Sequence, residues 1–149
     1  MTPKQHQHLF ILLLLTINIL IITTTSQARR GYRPNLQLND ITVIVRNDIN
    51  EGDSSISIHC YSSEDNIGTH NLSYGSAIRW KFKVNLWGTT KFWCDFNTKH
   101  GSGNYGVYTR KVHGRCGDVC VWMIRAEGPC LLQTNDNNQL WCQPWKSHP

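Results

Sequence analysis

Ile78-Arg79-Trp80-Lys81-Phe82-Lys83-Val84 alternates large apolar and cationic side chains without a break. Successive side chains on a strand point to opposite faces, so this stretch reads as a strand with one apolar face and a row of three cations on the other. The same two-residue period recurs on both sides of it. Upstream, Ile41, Val43 and Val45 alternate, with Ile44 making that run partly two-sided. Ile56, Ile58 and Cys60 then alternate with Ser55, Ser57 and His59. Downstream, Thr90, Phe92, Cys94 and Phe96 are opposed by Lys91, Trp93 and Asp95, and Tyr105, Val107 and Thr109 suggest a further strand. Cys120, Trp122, Ile124 and Ala126 are opposed by Val121, Met123 and Arg125, and residues 130–132 and 139–142 are two short final strands.

Turn-forming clusters separate these runs: Asn50-Glu51-Gly52-Asp53, Glu64-Asp65-Asn66-Ile67-Gly68, Gly101-Ser102-Gly103-Asn104, Gly114-Arg115-Cys116-Gly117-Asp118 and Asn135-Asp136-Asn137-Asn138. No stretch after residue 28 sustains a helical period, and no internal repeat or low-complexity block is present. The expectation is an all-β single domain: an antiparallel β-sandwich, or a closely related barrel, of about seven or eight strands.

Residues 9–22 are almost wholly apolar, broken only by Thr16 and Asn18, and the small-residue stretch Thr23-Thr24-Thr25-Ser26-Gln27-Ala28 follows. That order is the pattern of a secretory signal peptide, cleaved after Ala28. The apolar run is short of the roughly 20 residues that span a bilayer as a helix. The sequence therefore divides into a cleaved signal peptide (1–28), a basic N-terminal arm (29–38) carrying Arg29, Arg30 and Arg33, and one domain (39–149). No stable membrane insertion is expected after cleavage.

All six cysteines, Cys60, Cys94, Cys116, Cys120, Cys130 and Cys142, lie beyond the leader. An even number in a short exported chain points to disulfides in an extracellular compartment. Sequence alone does not choose among their pairings. The leader takes only Lys4 from a net charge of +5, so the exported part stays modestly basic. Such a surface favours anionic partners: a pectic cell-wall polymer, lipid head groups or an acidic receptor face. It lacks the dense Lys/Arg tract that would indicate nucleic acid.

A set of spaced motifs is more specific. His59-Cys60 is followed by Gly68-x-His70-x-Leu72-x-x-Gly75, then Trp80-x-Phe82, then Asn85-x-Trp87-Gly88-x-Thr90-x-Phe92-Trp93-Cys94. Val107-Tyr108 and Cys120-x-Trp122-x-Ile124-x-x-x-Gly128-Pro129-Cys130 complete the series. In these motifs the chain resembles the plant self-incompatibility family, the S-protein homologues, over roughly residues 41–145. The resemblance implies a small secreted plant protein with a β-sandwich fold. It also implies a ligand for a cell-surface receptor, since the family's defining members are stigma-secreted and bind a transmembrane receptor on incompatible pollen. The family's common cysteines correspond to Cys60, Cys94, Cys120 and Cys130, which leaves Cys116 and Cys142 as an implied extra pair. The chain departs from the family pattern at Glu64-Asp65-Asn66-Ile67, at Ala77-Ile78-Arg79 and at Tyr105-Gly106-Val107-Tyr108. These positions sit at loops and strand edges, so they bear on the partner rather than the fold.

Trp80, Trp87 and Trp122 are expected in the core, where a buried indole also requires a hydrogen-bond acceptor. Asn85 and Gly88 bracket Trp87 as a strand-to-strand corner, and Trp93, opposite Cys94, is left as a possible contact residue. Cys116 and Cys120 near His113 lack the second half of a zinc-finger pattern, and Glu64 and Asp65 lack calcium-loop spacing. No metal or cofactor is expected. Lys99-His100-Gly101-Ser102 faintly echoes a secreted ribonuclease motif, but Asn85-Leu86-Trp87-Gly88 offers no second histidine for acid/base work. Neither an activated nucleophile nor paired glycosidase carboxylates can be identified. His59 and His70 read as structural, and no enzyme is expected.

Binding residues are expected in loops on a rigid sandwich, at 62–70, 97–104 and 113–118. The candidates are Glu64, Asp65, His100 and Arg115, together with the cationic row Arg79, Lys81 and Lys83. Asn71-Leu72-Ser73 is a glycosylation sequon. Two other classes fit the composition: a cationic secreted defence protein and a wall-associated glycan-binding module.

Overall fold

The computed structural model describes residues 3–27, 40–50, 52, 55–134, 137 and 139–149. The cleavage point at Ala28 and the arm at 29–38 lie outside the described residues, as do Glu51, Asp53, Asn135, Asp136 and Asn138. The chain divides into two compact units, Met1–Gln37 and Leu38–Pro149. The first contains helix α1 (Pro3–Gln27), within which the leader's apolar run falls. Among the described residues no helix is long and apolar enough to cross a membrane.

The second unit is a two-sheet sandwich with nine strands among the described residues: β1 (Asp40–Asn47), β2 (Ile56–Tyr61), β3 (Asn66–Leu72), β4 (Ala77–Lys83), β5 (Phe92–Asn97), β6 (Ser102–Tyr108), β7 (Val119–Arg125), β8 (Gly128–Leu132) and β9 (Leu140–Cys142). One sheet has the order β4-β1-β7-β8-β9 and the other β3-β2-β5-β6. The alternating runs do what their period requires. Ile41, Val43 and Val45 of β1, Phe92, Cys94 and Phe96 of β5, and Cys120, Trp122 and Ile124 of β7 are buried between the sheets.

Nine strands exceed the expected seven or eight because β3 has no apolar period to announce it. Its sequence Asn-Ile-Gly-Thr-His-Asn-Leu buries only Leu72 fully. It exists as an edge strand because β2 offers it a ladder, from Ile56 opposite Leu72 to Tyr61 opposite Asn66. A second departure is that β1 and β7 run parallel, although every other pair is antiparallel. Parallel neighbours need a crossover. Here the connection runs through β2 to β6 and ends in helix α2 (Arg110–Cys116), which joins β6 to β7 and overlaps the turn expected at 114–118. Thr109 caps it by accepting a hydrogen bond from the Val112 N–H, and Gly117 ends it at φ +62°. Seven residues are too few to show a helical period in sequence.

All six cysteines are paired, as Cys60–Cys94, Cys116–Cys120 and Cys130–Cys142. The implied Cys116–Cys142 bond is therefore corrected. Cys142 stands directly opposite Cys130 in the β8–β9 register, and Cys116 ends α2 one short turn before Cys120. Cys60 and Cys94 also stand opposite each other, on β2 and β5, with their bond facing the core.

Trp122 meets the buried-indole requirement by donating to the Val107 carbonyl at 2.9 Å. The Trp80 Nε1 is buried with no partner among the described residues. Phe82, Phe92 and Tyr108 pack as an aromatic cluster across the sheets, with centroids 4.4 and 4.8 Å from Phe82. That cluster marks one end of the sandwich, where the β2–β3 turn, the β4–β5 loop and α2 gather.

Candidate functional site

β4 is the outermost strand of the five-stranded sheet. Its inward side chains Ile78, Trp80 and Phe82 pack against the core, while Arg79, Lys81 and Lys83 are exposed on the outer face. They stand in register with Ile44, Thr42 and Asp40 of β1. Among the described residues none of the three makes an ion pair. The arginines elsewhere on this face differ, because Asp48 holds both Arg46, at 3.0 Å, and Arg125, at 3.2 Å. Half-buried Ile44, Val121 and Met123 and exposed Val119 lie beside the cationic row, giving the face an apolar band.

The strip leads into the loop between β4 and β5. Asn85 closes this loop as expected of a corner: its carbonyl accepts from the Gly88 N–H at 2.9 Å, and its own N–H donates to Thr90 Oγ1 at 2.9 Å. Gly88 adopts φ +64°, a conformation that a side chain resists. The consequence for Trp87 is the reverse of the core placement expected from sequence. Trp87 is 85% exposed and Leu86 68% exposed, because the turn directs both away from the sandwich.

Beside the loop, Ser62 Oγ accepts from the N–H groups of Glu64, at 3.1 Å, and Asp65, at 2.8 Å, shaping the β2–β3 turn. Glu64 and Asp65 line a cleft of about 120 Å³ with Lys83, Lys91, Thr89 and Phe92. Small-molecule pockets run from roughly 300 Å³ upward, so this is a surface notch rather than a substrate chamber. Glu64, Asp65 and Lys83 are thus brought together.

His100 and Arg115 lie apart from them. His100 sits half-buried in the β5–β6 turn at the other end, where its N–H donates to Thr98 Oγ1 at 3.0 Å. The Arg115 guanidinium lies 4.6 Å from the Trp141 ring centroid and donates to Gln133 at 2.8 Å, so it braces the β8–β9 connection. His59 and His70 make structural hydrogen bonds, to Asn66 Oδ1 at 3.1 Å and to the Ile67 carbonyl at 3.0 Å. Trp93 is partly exposed, lying against Gly106 on the outer face of the four-stranded sheet. Asn71 is exposed on edge strand β3. Among the described residues no three His, Cys, Asp or Glu side chains are grouped as a metal ion would need.

A sandwich with these motifs at these positions is the architecture that the sequence resemblance implied. The family model for plant self-incompatibility protein S1 matches residues 42–145. The chain belongs to the plant self-incompatibility S1 family. It is similar to S-protein homolog 5 of Arabidopsis thaliana, 33% identical over 96 residues, covering 64% of this chain and 71% of that relative. S-protein homolog 2 of the same plant is 30% identical over 163 aligned positions, covering 96% of this chain and 95% of the relative. S-protein homolog 21 is 40% identical over 92 residues, covering 58% and 69%. No solved structure matches the chain.

Proposed function

We propose that this protein is a secreted, non-enzymatic ligand that binds a protein receptor at a plant cell surface through the outer face of β4. The observation that carries the reading is the row Arg79, Lys81 and Lys83, three exposed cations on one edge strand that make no ion pair among the described residues. Free surface charge of one sign steers association with an oppositely charged face more than it tightens the final complex. Family membership supports the ligand role, and the leader in residues 1–28 supports secretion.

Glycosylation of Asn71 is part of the same proposal, since its exposed side chain leaves the sequon accessible. A glycan there would occupy the edge of the four-stranded sheet. Mass spectrometry of the secreted protein before and after deglycosylation, beside Asn71→Gln, would show a loss of mass in the parent alone; an unmodified parent removes the glycan from the account.

The functional test is saturation binding of labelled, disulfide-intact protein to plant plasma-membrane fractions, with unlabelled protein as competitor. Saturable binding that protease treatment of the membranes destroys is expected. Replacing Arg79, Lys81 and Lys83 with Gln should slow association roughly tenfold and flatten its salt dependence. Linear binding that salt removes and protease spares would instead assign the surface to wall polymer or lipid, and the receptor reading would be withdrawn.

A further inference from the structure

Three tryptophans of this fold are buried and tied to the sandwich: Trp80, Trp122 and Trp145. Trp87 is the opposite case. Tryptophan is highly buried on average, and isolated exposed apolar residues need no explanation. Here the largest side chain of the loop and its neighbour Leu86 are presented together, on a turn held by reciprocal hydrogen bonds. Asn85 Nδ2 donates to Thr89 Oγ1 at 2.7 Å, and the Thr89 N–H donates to Asn85 Oδ1 at 2.8 Å. With the two further bonds from Gly88 and to Thr90, the turn is held by four hydrogen bonds, none of which involves the Trp87 side chain.

From this geometry we infer that the Leu86–Trp87 tip is a preformed anchor that enters an apolar pocket on an acidic-rimmed protein partner. The inference rests on the proposed receptor-ligand role and assigns its central contact. Immobilising an already ordered tip costs less conformational entropy than ordering a mobile loop. Centrally placed, fully desolvated tryptophans are typical hot spots, with charged contacts at the rim. The rim here is supplied by Lys83 and Lys91 beside the turn, and it continues along β4 as Lys81 and Arg79. Those four cations call for acidic groups around the pocket.

A bilayer is the other apolar acceptor for an exposed Leu-Trp pair. Glu64 and Asp65, in the same cleft as Lys83 and Lys91, make the charge beside the tip mixed, which a uniformly anionic head-group layer matches less well than a rim of fixed charges. A protein rim can match this mixed charge residue by residue. A fluid bilayer also makes no use of a fixed turn, whereas a shaped pocket does.

The test compares the secreted protein with its Trp87→Ala, Leu86→Ser and Trp87→Phe variants on plant plasma-membrane fractions and on phosphatidylcholine–phosphatidylserine vesicles. Trp87→Ala should speed dissociation by about 30-fold or more with little change in association. Leu86→Ser should act in the same direction, and Trp87→Phe should recover part of the loss. The arginine-lysine triple variant should show the converse, slower association with dissociation nearly unchanged. Because the tip is exposed, thermal melts of all three tip variants should match the parent, which separates lost contact from lost fold. If the parent binds saturably and Trp87→Ala dissociates at the same rate, the anchor is overturned while the ligand role stands. If the parent itself shows no protease-sensitive binding, the ligand role fails first. Vesicle binding by the parent that Trp87→Ala abolishes would overturn the protein pocket in favour of lipid insertion.

Discussion

Asn85 and Thr89 hold each other in a closed pair, each donating one hydrogen bond and accepting one, at 2.7 and 2.8 Å. The four-residue separation they span is what lifts Leu86 and Trp87 clear of both sheets. A pair of polar residues outside the core thus decides where the most exposed indole of the chain is displayed.

Asn85→Ala should release that turn. Exposed hydrogen bonds of this kind contribute on the order of 1 kcal/mol in net terms, so global stability should fall by about that much. The larger effect should be local, with backbone order at residues 86–88 dropping in ¹⁵N relaxation measurements. Asn85→Asp keeps an acceptor for the Thr89 N–H and for a rotated Thr89 hydroxyl, and should preserve the order. Equal order in the parent and the Ala variant would mean that the side-chain pair does not hold the turn.

The three disulfides should differ in worth according to the loops they close. Their sequence separations are 34 for Cys60–Cys94, 12 for Cys130–Cys142 and 4 for Cys116–Cys120. Restriction of the unfolded chain then predicts losses of about 4, 3 and 2 kcal/mol when each pair is replaced by alanine. The first should be enlarged by the cavity left between the sheets, since both of its cysteines are fully buried. Denaturant melts of the three paired variants would test the order, which a greatest loss at Cys116–Cys120 would contradict.

Alkaline pH should weaken the fold. Burial pushes the Tyr105 hydroxyl above its ordinary value of 10.0, outweighing the hydrogen bond from the Lys146 N–H, which acts the other way. Burial and the charge of Asp118 push Tyr108 in the same direction. The unfolded chain therefore loses these protons first as pH rises. Stability from this source is fully present below pH 10 and declines as pH climbs from there through the folded values. Urea midpoints measured from pH 8 to 11 should show the decline, and Tyr108→Phe should flatten it. Tyr105→Phe should cost about 1–3 kcal/mol even at neutral pH. Its hydroxyl donates to the Pro144 carbonyl at 2.8 Å and accepts from the Lys146 N–H at 3.0 Å, holding the C-terminal segment.

Gly128 should tolerate no side chain. It adopts φ +138°, and a Cβ there would fall 1.9 Å from the Gln143 carbonyl oxygen, a backbone atom that cannot swing away. Gly128→Ala should cost at least about 2 kcal/mol, combining backbone strain with displacement of the chain leading to Trp145. A variant with an unchanged midpoint would show that the two segments separate freely.

Much of this protein was legible in its sequence because strand burial is a local, periodic property. Ile78 to Lys83 announced both the inward face of β4 and the outward cations, and Ile41, Val43 and Val45 did the same for β1. The spaced motifs from His59-Cys60 to Gly128-Pro129-Cys130 carried the family, and the structure and the comparisons agree with it. Even cysteine number announced full pairing. What sequence could not supply were properties set by neighbours distant along the chain. β3 is a strand only because β2 lies beside it, and β1 and β7 are parallel because the chain between them passes through β2 to β6 and returns by way of α2 to lie beside β1. Cys142 pairs with Cys130 because register puts them face to face. Trp87 lies outside the core for a related reason: hydrophobicity says what a side chain would gain from burial, but not whether the backbone offers it a place inside. Asn85, Thr89 and Gly88 settle that in three dimensions by turning the chain outward before the indole can reach the core.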